Sequence, residues 1–312
     1  MSTAEKSVFR VNCTIDCEAT QGYVDDPVMG LRSARGFRDV LERYGFKGTF
    51  FLIPGDAKSD PAFYRELRDR GHEVGLHLHP ADEGFFEFTG VMGPDEQREM
   101  IRVTKARWAD AMGFEPRSFC MGYATANDFT YAILDEEGFT HGQVGVPGRS
   151  IAETACFWEG FPPDIHYANR YNRMYQGDLD FIDIPYTIDP DSRIWGGKAC
   201  LALYIEQVDA KNHWYTINKA VKRQKDDDAI PVKFLRSVTH NFHDFANPKS
   251  FRGQTLTGII EGIIGILDEE ECELVPSTME EMAEEYRRTV PKTDIRETLT
   301  LDRRAYRGGK PV

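Results

Sequence analysis

The chain has 312 residues, of which 41% are hydrophobic and 29% charged, and its formal net charge is −13. A chain of this length and composition can bury a large core, which excludes intrinsic disorder and makes disulfides or a structural metal unnecessary for stability. Because nucleic acids and anionic membranes attract clustered lysines and arginines, the absence of any run of five basic residues argues against both partners. The first dozen residues lack the apolar segment of a secretory signal, no eighteen consecutive residues are apolar, and the six cysteines form no CxxC pair. We therefore expect a cytoplasmic enzyme with reduced thiols.

The hydrophobic pattern alternates between strand-like and helix-like segments along most of the chain. It predicts strands at residues 7–15, 48–53, 73–78, 116–121, 139–144, 179–188, 199–205, 232–240 and 272–275, and helices at 30–44, 60–70, 94–112, 127–137, 207–225, 255–268 and 278–288. Residues 150–178, rich in proline, glycine and aromatic residues, lose this periodicity and are expected to form an excursion that faces the substrate. No repeat or linker divides the chain. We therefore expect an α/β fold with one barrel-like domain of about seven parallel strands over residues 1–288, and an arm or tail at 289–312.

Two carboxylates, Asp16 and Glu18, lie in the segment at the end of the first predicted strand (residues 14–18, TIDCE). Side chains two residues apart in an extended chain point to the same side, so both carboxylates share one face. Taken alone, this pair favours a solvated turn or a helix cap. Its interpretation depends on what the other strands place beside it.

Two histidines, His77 and His79, have the same spacing on the third predicted strand, where the alternate residues Val74, Leu76 and Leu78 are apolar. A histidine on the interior side of a barrel strand is costly unless it is bonded to a partner. Neutral imidazoles beside a carboxylate are a ligand set typical of zinc or a similar divalent ion. The alternative is a pair of core histidines bonded to backbone carbonyls, and the carboxylates after the first strand favour the metal site.

A further pair of histidines, His240 and His243, lies at the end of a late predicted strand (residues 237–244, SVTHNFHD). Because a parallel barrel builds its site from the ends of several strands, His240 would reach the same mouth as Asp16 and His77. One of the two late histidines could then serve as a proton donor.

The order and spacing of these motifs resemble the polysaccharide deacetylase superfamily, which comprises the NodB-homology fold, carbohydrate esterase family 4 and their relatives. Residues 14–18 occupy the place of the T-F-D-D-G signature, and residues 48–51 (GTFF), 71–77 (GHEVGLH) and 184–185 (IP) match further blocks, so that the resemblance covers about residues 7–275. It implies a distorted (β/α) barrel of about seven strands and metal-dependent hydrolysis of an acyl C–N bond.

The resemblance also implies roles for individual residues. Asp16 aligns with the general base, His77 with the first metal histidine and His240 with the proton-donating acid. Cys17 stands where many relatives have the metal aspartate, but some branches use a D-x-E form in which Glu18 would be the ligand. Glu18 shares a face with Asp16 and is therefore preferred, although Cys17 and Asp16 stay open as alternatives.

The chain departs from the family pattern at two other positions. The usual second metal histidine is replaced by Ala81, and His79 is the available substitute. Cys120 stands where relatives have an arginine that pairs with the base, and Arg149, Arg170 or Arg173 could replace that arginine from a loop. Cys120, Tyr123 and His243 are predicted to bind the substrate.

The predicted function is metal-dependent hydrolysis, with zinc held by Glu18, His77 and His79, Asp16 as base and His240 as acid. The predicted reaction is N-deacetylation of an amino sugar or glycan precursor, so the partner is a small molecule or an oligosaccharide. The alternative is hydrolysis of a small cytosolic amide, cyclic imide or ureide, and a third possibility is a metal-free binding barrel that has lost catalysis. The C-terminal tail allows a homo-oligomer.

Overall fold

A single large sheet organises the protein in the computed structural model, which describes residues 6–225 and 227–292. The strands are β1 (Val8–Cys17), β2 (Gly48–Leu52), β3 (Glu73–Leu78), β4 (Ser118–Met121), β5 (His141–Gln143), β6 (Ser150–Ile151), β7 (Cys156–Phe157), β8 (His166–Tyr167), β9 (Ile182–Asp183), β10 (Ile188–Ile194), β11 (Ala199–Ala202), β12 (Lys233–His240) and β13 (Glu273–Pro276). The helices are α1 (Pro27–Arg43), α2 (Pro54–Ser59), α3 (Pro61–Asp69), α4 (Pro94–Met112), α5 (Thr130–Glu136), α6 (Ala210–Lys225), α7 (Phe251–Glu269) and α8 (Met279–Thr289). None of the described helices is long and apolar enough to cross a membrane.

The sheet has the strand order β12-β1-β2-β3-β4-β5-β9-β8, and β13 pairs with the first residues of β1. The seven strands from β12 to β9 run parallel, and β8 is antiparallel to β9. Helices cover the outer face, as in other parallel sheets. The α/β class and the distorted barrel of about seven parallel strands are therefore confirmed.

Irregular backbone fills the gap between β9 and β12. The buried guanidinium of Arg236 donates through one terminal nitrogen to the carbonyl of Ile184 at 2.8 Å, and Thr187 N donates to Arg236 O at 3.3 Å. Val238 N donates to Leu203 O at 2.9 Å, so residues 203–205 run along β12. The barrel is thus closed by chain segments that lack a regular ladder.

Alternation along β1 divides its side chains between two environments. Phe9 and the odd-numbered residues that follow it belong to the apolar layer under the helices, whereas Asn12, Thr14 and Asp16 are buried polar residues of the barrel interior. The same division on β3 puts Leu76 outside and His77 inside. The inward-facing side chains of β1 are therefore polar, and those of β1 and β3 continue as polar residues to the carboxyl ends of these strands, beside a smaller buried apolar cluster that includes Phe51 and Phe234.

The structure differs from the predicted elements mainly in irregular segments. Residues 54–59 form α2, which the early proline and glycine concealed. The strand predicted at 199–205 is β11, which forms an antiparallel hairpin with β10, and β10 was not predicted. The excursion at 150–178 contains the short hairpin of β6 and β7 and also β8. The last described helix ends at Thr289, and residues 293–312, with most of the predicted arm and its suggested role in a homo-oligomer, lie outside the described residues.

Candidate metal and catalytic site

Three buried side chains converge where β1 and β3 end. Oε2 of Glu18 lies 3.0 Å from Nε2 of His77 and 2.7 Å from Nε2 of His79. The spacing of two on each strand places all three on the interior side. The sequence predicted these residues as metal ligands, and the structure brings them together.

The contacts of the Nδ1 atoms of His77 and His79 indicate how their Nε2 atoms can bind. Nδ1 of His77 lies 3.2 Å from the carbonyl oxygen of Cys120, and Nδ1 of His79 lies 2.6 Å from the carboxylate of Glu87. Both partners are acceptors when Glu87 is ionised, so both Nδ1 atoms carry protons. In a neutral imidazole Nε2 is then a lone pair, and both lone pairs face the carboxylate of Glu18. Burial would lower the pKa of His79, but the charge of Glu18 and the contact with Glu87 raise it to about 10, so a proton on Nε2 can bridge His79 and Glu18. A divalent ion can take the place of that proton, and two imidazoles with one carboxylate suit zinc.

The carboxyl group of Glu18 is held in its ionised form. Burial would raise its pKa, but the charges of His240 and His79 and the hydrogen bond to His77 lower that pKa well below its usual range. Gln21 also donates to Oε2 at 2.8 Å. An ionised, oriented carboxylate is the state in which Glu18 can bind a metal ion.

A second set of contacts fixes the backbone at the end of β1. Glu18 N donates to the side-chain oxygen of Asn241 at 2.9 Å, and the amide nitrogen of Asn241 donates to Asp56 at 2.8 Å. Asp56 also accepts from the amide and hydroxyl of Thr20, at 2.9 and 2.7 Å. These contacts tie the ends of β1 and β12 to α2, so Glu18 sits on a rigid support.

Gly122 permits the position of His79. A Cβ atom at this residue would lie 2.7 Å from Nε2 of His79 and 2.5 Å from the carbonyl of Leu78. Neither contact is tolerated, because the carbonyl belongs to the backbone of a buried strand. The conformation of the chain after β4 therefore depends on the missing side chain at this glycine.

Asp16 lies beside this cluster and lines the same cavity. Its Oδ1 is 3.6 Å from Sγ of Cys120. The same sulfur lies 3.3 Å from Oε1 of Gln143. Burial raises the pKa of Cys120 well above its usual value, so this residue stays a neutral thiol and replaces none of the charge of the arginine found in relatives. Asp16, His77 and Cys120 also form a group of possible ligands, but a neutral thiol is a poor one.

The positions of the side chains bear on two further alternatives, Cys17 as a metal ligand and an arginine from a loop as the partner of Asp16. Cys17 packs in the outer apolar layer, away from His77 and His79, and is therefore excluded as a ligand of this site. Within the described residues, no lysine or arginine lies within 4.0 Å of the Asp16 carboxylate. Arg170 lies 3.9 Å from Asp135 instead, and Arg173 pairs with Asp128 at 2.9 Å. Arg149 lines the cavity without making that pair.

His240 is the register partner of Asp16 in the parallel pairing of β1 with β12. Its Nε2 is 3.5 Å from Glu18 Oε1, and its Nδ1 is 3.1 Å from the Tyr204 hydroxyl and 3.3 Å from Glu206. Burial would lower the pKa of His240, but the charge of Glu18 and the contact with Glu206 raise it to about 9. His240 is thus a protonated imidazole in this ion-free arrangement.

Glu206 organises the late histidines, and the sequence analysis missed it. It accepts from the backbone amide of His240 at 2.9 Å and from the hydroxyl of Thr239 at 2.8 Å, and it lies 3.2 Å from Nε2 of His243. Burial would raise its pKa, but these contacts lower that pKa to about 2. Its place after the strand predicted at 199–205 was the available signal, whereas Glu87 lies in an irregular segment without one.

A cavity of about 480 Å³ opens above these groups. Its wall is largely aromatic and is formed by Tyr23, Tyr123, Tyr186, Trp195, Tyr204 and Phe242. Of the predicted substrate-binding residues, Tyr123 and His243 line the cavity, whereas Cys120 is fully buried against Asp16. Tyr123 is 44% exposed and has a left-handed backbone, with φ of 52°. Such conformations cluster at functional sites.

Comparison with known proteins finds one family model that matches part of the chain and solved structures with a similar fold. Residues 25–142 match the family model for polysaccharide deacetylases. A protein described as a polysaccharide deacetylase from Mycobacterium smegmatis has the same fold, with 15% identity, 94% of this chain and 96% of that chain covered, and a TM-score of 0.60. A protein described in the same way from Pseudomonas aeruginosa is 13% identical, with 91% of this chain and 93% of that chain covered and a TM-score of 0.59. An allantoinase is 14% identical, with 93% of this chain and 94% of that chain covered and a TM-score of 0.61. At these identities the structural likeness establishes the fold.

Proposed function

We propose that the chain is a member of the polysaccharide deacetylase superfamily and a zinc-dependent hydrolase of an acyl C–N bond. The match of residues 25–142 to the family model and the shared fold support this proposal. The observation that carries this proposal is the convergence of Glu18, His77 and His79 beside Asp16 and His240. A base, an acid and a metal-binding group thus meet at the floor of one cavity.

Glu18, His77 and His79 are the residues that would hold the ion, since their ligand atoms lie within 4.8 Å of one another. When bound there, zinc polarises a carbonyl oxygen and lowers the pKa of water. The contacts of Cys120 O and Glu87 with the outer ring nitrogens keep both imidazoles aimed at that position.

Asp16 is the proposed general base. It is buried, it borders the cavity, and no neighbouring lysine or arginine within the described ranges competes for its carboxylate. In the proposed reaction it accepts the proton of the attacking water as the bond to the carbonyl carbon forms.

His240 is the proposed acid. Glu206 and Tyr204 hold its Nδ1 side, which leaves Nε2 directed toward the Glu18 side of the cavity. In the proposed reaction the proton on Nε2 passes to the amine nitrogen as the C–N bond breaks. Glu206 stabilises the charged imidazole before transfer, so the pair works as an oriented acid.

The proposed substrate is a small acylated amine, such as an N-acetyl amino sugar or a glycan precursor. A small amide, cyclic imide or ureide is the second candidate. It is favoured by the aromatic wall around about 480 Å³ and by the thiol of Cys120 in place of the guanidinium found in relatives. Release of acetate from N-acetyl sugars and ring opening of cyclic imides distinguish the two.

Asp16→Asn tests the proposed reaction. The variant keeps the size of the side chain but loses the base, so we expect it to bind zinc like the wild type and to lose at least about 100-fold in kcat, the lower range for removal of a general base. Zinc is measured by elemental analysis and turnover by amine release. Full activity in Asp16→Asn would refute its role, and activity that survives chelation would refute the metal.

A further inference from the structure

Arg149 is a buried cation in the wall of the cavity. Its side chain lines the same space as Asp16 and His240, and the residue is only 9% exposed. Its backbone is fixed on both sides, because Arg149 N donates to Val146 O at 3.0 Å and Trp158 N donates to Arg149 O at 2.7 Å. The guanidinium is therefore held beside the reacting groups by its own loop.

This guanidinium lacks the partners that buried arginines have. Among residues 6–225 and 227–292 it donates no hydrogen bond and no carboxylate lies within 4.0 Å, and its Nε is buried without a partner. Arginine cannot shed its charge in a protein, and an unpaired buried charge costs several kcal/mol. An anion supplied from outside the chain would remove that cost.

The histidines of the cavity already contact carboxylates. His77 and His79 contact Glu18, and His240 and His243 contact Glu206. An anion that enters the cavity therefore finds one free positive charge among its described lining residues, that of Arg149.

Trp195 holds the guanidinium in place. Its ring centre lies 5.5 Å from the Cζ atom of Arg149 and forms part of the same wall. Trp195 has a left-handed backbone, with φ of 51°, and starts a turn of three such residues that continues through Gly196 and Gly197. A left-handed backbone is unfavourable for a tryptophan, and here it brings the ring against the guanidinium of Arg149.

We infer that Arg149 binds a carboxylate of the substrate, so that the substrate class is an acylated amino acid or a related acylamino or ureido acid. This inference rests on the proposed function and narrows it. The planar fork of arginine accepts a carboxylate through two parallel hydrogen bonds, which fixes the orientation of the substrate. The amide to be cleaved is then directed toward Asp16 and the Glu18 cluster.

The test is the binding of matched pairs of compounds, measured by calorimetry in zinc-loaded and zinc-free Asp16→Asn protein, which cannot turn them over. The probes are N-acetylglycine, N-acetyl-β-alanine and N-acetyl-4-aminobutyrate, each beside its neutral primary amide. We expect at least one carboxylate to bind about 10- to 100-fold more tightly than its amide, as for hydrogen bonds to a charged group. Arg149→Gln should reduce that ratio to near one, and Arg149→Lys should retain part of it.

Arg223→Gln is the matched control, because Arg223 pairs with Asp164 outside this cavity, and the ratio should not change. If no carboxylate binds more tightly than its amide, or if the preference survives in Arg149→Gln, the inference is wrong; the second result would place the anion on the metal or elsewhere. Because binding is read without turnover, failure of the proposed hydrolysis shows separately, as inactivity of the wild type toward every probe.

Discussion

The two ends of the barrel each contain a buried glutamate with a histidine, and we propose a reactive site at only one of them. At the carboxyl ends of the strands, one carboxylate oxygen of Glu18 faces Nε2 of both His77 and His79. At the amino ends, Glu73 lies 2.6 Å from His141 Nε2. The residue types are the same, so composition alone does not separate the two clusters.

The difference lies in how the polar atoms are satisfied. Glu73 accepts from His141, from the Thr49 hydroxyl at 3.0 Å and from the backbone amide of Glu280 at 2.9 Å, at the start of α8. The other ring nitrogen of His141 lies 2.9 Å from the Thr140 hydroxyl. Each donor there meets an acceptor, so the cluster fastens α8 to the sheet. At the opposite end Nε2 of both His77 and His79 faces a single oxygen of Glu18, an arrangement that can accommodate a divalent ion.

Cavity volume alone would favour the amino ends of the strands over the candidate site. The space at the amino ends measures about 700 Å³ against about 480 Å³ at the candidate site. Its wall is formed by charged side chains that pair with one another, such as Lys47 with Glu281 and Arg117 with Glu280. The convergence of possible metal ligands and the unpaired cation of Arg149 are the better guide to function.

Removal of one imidazole from each end gives the largest expected contrast. His79→Ala removes a proposed ligand, so we expect the variant to lose bound zinc and activity. His141→Ala removes a histidine of the structural cluster and should keep its zinc. Elemental analysis after dialysis against dilute zinc measures both. If His79→Ala retains stoichiometric zinc, Glu18 and its neighbours are not the metal site.

Glu73→Ala should have the opposite effect to His79→Ala, a loss of stability with zinc and activity retained. The change leaves His141 Nε2, the Thr49 hydroxyl and the amide at the start of α8 without their acceptor. Breaking a buried pair of this kind costs about 3 kcal/mol of unfolding free energy. Urea denaturation measures the loss, and zinc content and kcat of the folded fraction should not change. A fall in zinc content would show that the two ends are coupled.

The sequence identified the parts of the site that lie on regular strands. Period-two spacing placed Glu18 beside Asp16, and His79 beside His77, before any contact was known. The side chains that support them come from irregular segments, where no periodicity tells which way a residue points. Glu87 and the role of Glu206 were therefore missed. The hairpin that carries Trp195 was missed because its turn depends on left-handed residues that the hydrophobic pattern does not reveal.

Glu87→Gln tests whether such a supporting residue acts on the metal site. The amide can still contact His79 but no longer supplies a charge that holds the proton on Nδ1. Loss of a partner of a metal-bound histidine weakens metal affinity about 10- to 100-fold. Competition with a chromophoric chelator measures this affinity. Glu83→Gln is the matched control, because Glu83 lies in the same segment and pairs with Arg107 instead of a histidine. Equal affinities in the two variants would reduce Glu87 to a purely structural role.

The smallest expected effect is a difference in the pH dependence of stability, which His72 provides at the amino ends. Its Nδ1 accepts from Gly48 N at 3.0 Å, so the folded protein holds this ring neutral, and burial lowers its pKa despite the nearby Glu42. In the unfolded chain the ring takes up its proton at about pH 6.5. Below that pH the unfolded state binds more protons, so the stability from His72 is fully present above pH 6.5 and falls as the pH drops toward the lower folded pKa. His72→Gln should therefore lose less unfolding free energy than the wild type between pH 7 and pH 5 in urea denaturation. Parallel curves would show that His72 does not titrate differently in the folded protein. His240 at the opposite end carries the reverse sign, because its pKa is raised to about 9.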